Sequence, residues 1–480
     1  MNTDERGLPL VGPLIGGSYH VDESRCEPLV GPVSEQPVAR VCPTSEEDFS
    51  KLLESSVEAQ CQVAALPVHR RAELLRTAAD MLEARAEEFA RTITRQTGKV
   101  IRDTRREADR GVWTLRLSAA AVESMTVHSP IPDQIPGGEH IRAVVRRVPV
   151  GVVAAITPFN APLNLSLHKL GPALAGGNSL VLKPSPAAPL TSFMLAELMA
   201  EAGFPPAAVN VMPGGAQTAL ALAGDRRIAL VTFTGGVAAG EALARQAPLK
   251  PVTLELGGNS PNIVHSDADL AQAVQELVVG GFRNAGQSCN SVQRILVHEA
   301  VADQFIPTLC AAVAGLTIGD PLDPATDVGP VVNLASGERV ERMIQDAVEQ
   351  GAEVLVGGRR EGPVITPTVI RSHGTHCALD ADEVFAPVVY VSTYTSLDEA
   401  FERANSTDYG LQSAVFTSSL QVAAQATERL VAGTVLVNKS SNFRLDQLPY
   451  GGIRDSGIGR EGPGYALEEM TSLKLVVVST

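Results

Sequence analysis

The stretch that decides the fold runs from Gly151 to Gly258. In it GVVAAITPFN (151–160), NSLVLKPSP (178–186), VNVMPGG (209–215), ALVTFTGG (229–236) and VTLELGG (252–258) recur at regular intervals. Each is a short apolar run that ends in a turn. The runs at 151–157, 179–183, 209–212, 228–233 and 252–256 are predicted as strands, and the segments at about 162–175, 190–202, 217–223 and 238–246 as helices. Strands that are apolar throughout and alternate with helices build a parallel sheet covered on both faces. Such sheets bind ligands at the carboxyl ends of their strands. The polar residues stand there: Asn160 after the first run, Lys183 ending the second, Thr234-Gly235-Gly236 after the fourth, Glu255 ending the fifth.

Upstream, residues 1–45 are rich in Pro and Gly and read as edge strands and loops. From Glu46 the pattern becomes helical, with Leu74, Ala78, Met81, Leu82 and Phe89 on one face. A second helix is predicted over about 104–122. The SPIPDQIPGG segment interrupts it, and Val144, Val145 and Val148 mark a strand in an extended ribbon. Downstream, a second α/β body spans about 257–449, with strands near 293–298, 388–394, 414–417 and 434–438. The tail at 473–478 is a lone apolar strand of the kind that pairs with another chain. A length of 480 residues agrees with several domains, at roughly 150 residues each. The fold class is therefore α/β, with two doubly wound parallel-sheet bodies and a small β element.

A net charge of −15 argues against nucleic-acid and anionic-membrane partners, which require a basic face. The opening MNTDERGLPL has no basic segment leading into an apolar run, so no secretory leader is expected. With no membrane-length apolar stretch either, the expected location is cytoplasmic. The six cysteines are scattered without a C-x-x-C pair, so no metal site and no disulfide is expected.

Cys289 stands in Gly286-Gln287-Ser288-Cys289, a small polar turn that Gly286 is expected to keep mobile. A thiol on an accessible turn suits a nucleophile, although most cysteines are inert buried thiols. Glu255 suits a general base raised by burial, or equally a helix cap. Asn160 suits an oxyanion donor or an ordinary turn residue. Lys183 offers a cation for ribose hydroxyls or phosphate, and Thr234-Gly235-Gly236 opens a helix, an anion site. Gly457 to Gly462 matches G-x-G-x-x-G by letter, but no strand leads into it, so it is rejected as a dinucleotide fingerprint.

Together these stretches resemble the NAD(P)-dependent aldehyde dehydrogenase superfamily. TPFN (157–160), KPS (183–185), FTGG (233–236), ELGGNSP (255–261), GQSC (286–289), EVFAP (383–387) and PYGGIRDSGIGREG (449–462) occur in the family's order. The resemblance implies that Cys289 attacks an aldehyde, that Asn160 and the Cys289 N–H hold the oxyanion, and that Glu255 activates the water that hydrolyses the thioester. It assigns Glu383 to the nicotinamide ribose, Phe385 to the nicotinamide, and Thr234, Gly235 and Gly236 to the pyrophosphate. Lys183, Ser185 and Pro186 would face the adenosine ribose, with Ile156, Thr157, Pro158 and Leu256 completing the cofactor contacts. Pro186 stands where many NAD-preferring members carry Glu, so NADP is admitted alongside NAD. Gly236 replaces a frequent Ser.

The segment Ser440 to Asp446 resembles members that act on lactaldehyde, glyceraldehyde 3-phosphate or phosphonoacetaldehyde. Arg444 and Arg110 are candidates for binding a substrate anion, or are structural ion-pair residues. The expected substrate is a short polar aldehyde, hydroxylated or anionic. The implied domains are 1–126 with 146–254 for NAD(P), 255–449 for catalysis, and 127–145 with 463–480 for assembly into a homodimer or homotetramer. A CoA-acylating enzyme is the alternative, disfavoured by Glu255, and a non-catalytic protein that keeps the fold is the other.

Overall fold

The computed structural model describes residues 1–33, 36–372 and 377–479. The five apolar runs form β1 (Val152–Ile156), β2 (Leu180–Lys183), β3 (Val209–Val211), β4 (Ile228–Thr234) and β5 (Val252–Glu255). They are parallel and lie in the order β5-β4-β1-β2-β3. Successive side chains leave opposite faces of a strand. Accordingly, Val153 and Ala155 enter one core with Leu167 and Phe193, while Val152, Ala154 and Ile156 enter another with Leu52 and Leu222. Burial on both faces is why these strands read as continuous apolar runs.

The strand order reverses between β1 and β4, so a crevice opens there at the carboxyl ends. The register sets its floor. Ile156 pairs with Lys183 on one side and Phe233 on the other, and Thr234 pairs with Glu255.

The second body is built on β6 (Pro261–Val264), β7 (Arg294–His298), β8 (Thr368–Arg371), β9 (Val388–Tyr394), β10 (Gln412–Phe416) and β11 (Thr434–Val437). These strands are parallel in the order β8-β9-β7-β6-β10-β11, with Glu353–Val356 antiparallel at one edge. No helix among the described residues is long and apolar enough to cross a membrane.

Several expectations need correction. The tail strand, Thr471–Ser479, pairs within the chain, antiparallel to Ile141–Pro149. The paired ribbon therefore takes in 146–149, which the implied boundaries gave to the cofactor domain. The helix Pro463–Glu469 packs on the first body instead of joining the ribbon, because Ala466 and Leu467 are buried against helices Asn164–Gly176 and Ile101–Glu123. Thr480 lies outside the described residues. Gly457–Ile458 is a short strand antiparallel to β5, which agrees with its rejection as a nucleotide loop. Cys26 and Cys42, expected as free thiols, are joined. The hairpin explains it, since Glu27 faces Val41 and the next pair outward is these two cysteines.

Candidate active site

Cys289 sits where its own turn meets the backbone at Gly258 and at Ala386. Asn284, Ala285 and Gly286 all have positive φ, at 52°, 52° and 65°. Left-handed backbone at two non-glycine residues costs free energy that the surrounding structure must offset. A Cβ at Gly286 would collide with the Ala386 carbonyl oxygen, and one at Gly258 with the Cys289 carbonyl oxygen. The turn is thus held by close backbone approach, which corrects the expectation that Gly286 keeps it mobile. Glycine is needed there because nothing larger fits.

The Cys289 Sγ lies 3.0 Å from the Tyr450 hydroxyl. Burial pushes the thiol up to about 12; the Tyr450 hydrogen bond and Arg444 oppose the shift, and the Glu383 and Glu255 carboxylates add to it. Asn160 Nδ2 donates to the Gln287 carbonyl at 3.0 Å. Its second hydrogen remains for an oxyanion. The Cys289 backbone N–H makes no hydrogen bond among the described residues, so it is also available.

Glu255 is buried, and neither carboxyl oxygen has a hydrogen-bond partner among the described residues. Burial raises its pKa well above the usual range and the Glu461 charge adds to this, while Arg444, Lys169 and Arg460 oppose it. Behind it lies an ion pair missed in the sequence: Lys169 Nζ to Glu461 Oε1 at 2.7 Å, with side-chain exposures of 0% and 2%. Lys169 also donates to Thr232 Oγ1 at 3.1 Å. The available signal was His168-Lys169 inside a helix whose thirteen residues are all buried. Two ionisable groups on a helix with no polar face must find partners in the interior.

Two cavities meet at Cys289 and Asn160, which line both. The first, of about 280 Å³, is the crevice between β1 and β4, walled by Pro158, Phe159, Thr234 to Gly236, Glu255 to Gly257, Glu383 and Phe385. Its features fit a dinucleotide. Helix Val237–Gln246 starts at Gly236 with no side-chain cap, leaving its first N–H groups for phosphate oxygens. Glu383 accepts from the Gly258 N–H at 3.1 Å with one oxygen, keeping the other for ribose hydroxyls. Burial pushes Glu383 up to about 7, against the Gly258 N–H and Arg339. Phe385 packs edge-on to Phe159, with ring centroids 6.0 Å apart.

Leu256 and Pro158 are in this wall, but Ile156 and Thr157 are buried at the end of β1 and do not reach it. Lys183, Ser185 and Pro186 also lie outside it, at the end of β2. Lys183 Nζ donates to the Pro184 carbonyl at 3.1 Å, and burial lowers its pKa to about 8.

The second cavity, of about 300 Å³, is polar and carries the cations Lys99, Arg110, Arg283, Lys439 and Arg444 against one lining carboxylate, Glu276. Each cation is held from the side. Arg110 makes a two-pronged pair with Asp446 at 2.6 and 3.0 Å, and Arg444 donates to Glu461 at 3.1 Å. The structural ion-pair role is thus real for both arginines, yet both also face the cavity. Arg283 and Lys439 were not singled out, since they fall outside the recognisable motifs.

The family model for the aldehyde dehydrogenase family matches residues 20–476. A 3-sulfolactaldehyde dehydrogenase of Priestia aryabhattai is 40% identical over 469 residues, covering 98% of each chain. Among solved structures, glyceraldehyde-3-phosphate dehydrogenase GapN of Methanocaldococcus jannaschii, complexed with NADP, matches with a TM-score of 0.90 and 36% identity, over 94% of this chain and 99% of that one. Aldehyde dehydrogenase 21 of Physcomitrella patens, in complex with the reaction product succinate, matches at 0.95 and 34%, over 98% of both. The chain belongs to the aldehyde dehydrogenase family. It is an NAD(P)-dependent aldehyde dehydrogenase.

Proposed function

We propose that the substrate is a short aldehyde carrying an anionic group, with a hydroxyl accepted beside it. The observation that carries this is the cavity beside Cys289, whose lining presents five cations and one carboxylate. Guanidinium groups recognise carboxylate, sulfonate and phosphonate oxygens in a two-pronged geometry. The three relatives above are named for, or hold, a sulfonated, a phosphorylated and a dicarboxylic compound, which supports the same chemistry.

Cys289, as thiolate, adds to the aldehyde carbon, and Asn160 Nδ2 with the Cys289 N–H holds the oxyanion. A bound NAD(P)⁺ would supply the acceptor for the hydride of this carbon. Glu383, Phe385, Leu256 and Thr234 to Gly236 would hold it, while Lys183 and Ser185 would reach the adenosine end. Glu255 then deprotonates a water that cleaves the Cys289 thioester, releasing the acid and the free sulfur. Initial rates with a panel of small aldehydes test the reading. Anionic aldehydes should give the highest kcat/KM and form acid without CoA. A strict CoA requirement, or a preference for neutral long-chain aldehydes, would overturn it.

Arg110 faces the anion in this reading. Arg110→Gln should raise KM for anionic aldehydes about tenfold and leave neutral ones nearly unchanged. Equal effects on both would return Arg110 to a purely structural role. The exposed Pro186 leaves room for a 2′-phosphate. Pro186→Glu should cut kcat/KM with NADP about tenfold and spare NAD, because the added carboxylate repels that phosphate; undiminished NADP turnover would count against this placement.

Assembly through the ribbon completes the proposal. Leu473, Leu475 and Val477 are exposed on a two-stranded sheet, a surface suited to a second copy in a dimer or tetramer. An NAD(P)-linked oxidation also fits a cytoplasmic enzyme.

A further inference from the structure

Tyr450 has no role in the mechanism above, yet its hydroxyl touches the reacting sulfur at 3.0 Å. The Arg444 guanidinium carbon lies 3.9 Å from the centroid of its ring. We propose that Tyr450 is a further catalytic residue: it donates a hydrogen bond to the Cys289 thiolate, and the stacked Arg444 cation strengthens that donation. This rests on Cys289 being the nucleophile.

A neutral thiol and a phenol can share such a contact in either sense. Once the thiol ionises it has no hydrogen to give, so the contact survives only with the phenol as donor. Hydrogen bonds to an ionised acceptor are the stronger kind. Tyr450 does not compete for the thiol proton. Burial foremost, with Cys289 beside it, pushes the phenol well above its ordinary range despite Arg444, so it stays protonated. The thiol proton passes to water or to an ionised carboxylate, and no bond to Tyr450 is broken.

The charges around the sulfur show why a donor matters. Glu383 and Glu255 face it with negative charge, and burial itself disfavours an anion. Against them stand the Tyr450 hydroxyl, 3.0 Å from the sulfur, and the Arg444 cation, both of which favour the thiolate. A cation over an aromatic face draws electron density from the ring and makes its O–H more acidic. Neither partner is free to swing away. Arg444 is anchored by Glu461, to which it donates at 3.1 Å. Tyr450 exchanges two backbone hydrogen bonds with Glu461, at 3.0 and 2.7 Å. One buried carboxylate residue thus fixes both the donor and the cation behind it.

Tyr450→Phe removes a single oxygen and keeps the ring. The readout is the pH profile for alkylation of Cys289 by iodoacetamide, followed by mass spectrometry, together with the single-turnover rate of NAD(P)H formation. The profile should move up by about one pH unit, with alkylation below it and the single-turnover rate each about tenfold slower. KM should hardly change. Placing 3-fluorotyrosine at position 450 makes the phenol a better donor and should move the profile down, so the two replacements act in opposite directions. A profile unmoved by either, or moved the same way by both, overturns the proposal. If Cys289→Ala retains the single turnover, the nucleophile assignment itself fails. If Cys289 is required and the profile stays put, only the role of Tyr450 fails.

Discussion

Cys289→Ala should leave a folded protein that binds NAD(P) and forms no NAD(P)H, with kcat/KM lowered at least about a thousandfold. The loss is total because no other thiol is near: Cys61, Cys310 and Cys377 do not line either cavity at the site. The fold should survive, since the side chain makes one hydrogen bond, to Tyr450. Quenching of intrinsic fluorescence by the cofactor checks binding, and absorbance of the reduced nicotinamide checks turnover. A variant that still yields one NAD(P)H per site would show that the hydride leaves without a covalent intermediate at Cys289.

Glu255→Gln should separate the two halves of the reaction. Steady-state turnover should fall about a hundredfold or more, the usual loss for a missing general base, while the first-turnover burst remains near one equivalent per site. The charge removed also faces the sulfur. Its loss should let Cys289 ionise at lower pH, so the burst should be no slower than in the parent. The sign of the pH dependence follows from the same burial. A base works in its deprotonated form, and the Glu255 pKa lies well above the ordinary carboxyl range. Hydrolysis in the parent should therefore climb with pH through that raised value, and the climb should vanish in the Gln variant. Loss of the burst from a correctly folded variant would place the base before hydride departure.

The two bodies and their strands were legible because burial on both faces leaves a local trace. Val152–Ile156 and Val388–Tyr394 stand within a residue or two of their expected bounds. The edge strand Glu353–Val356 was not legible, since edges and partly buried strands have weaker apolar signals, and the inner strand Thr368–Arg371 was missed because its apolar run is only Val369-Ile370. The disulfide was missed because spacing along the chain does not reveal hairpin register.

The site divides in the same way. The proposed nucleophile, amide and carboxylate lie in short motifs whose residue types suggest their chemistry. Tyr450, Lys169, Arg283 and Lys439 do not, because each acquires meaning only from what it faces. The sequence by itself determined the alternating parallel architecture and marked Cys289, Asn160 and Glu255 as the proposed reacting groups, since periodicity and turn chemistry act over a few residues. Only the tertiary structure decided that Gly286 is a point of backbone contact, that the tail strand folds back on its own chain, and that two carboxylates oppose the thiolate while a tyrosine and an arginine favour it. Those are long-range electrostatic and steric facts, set when residues far apart along the chain are packed into one water-poor space.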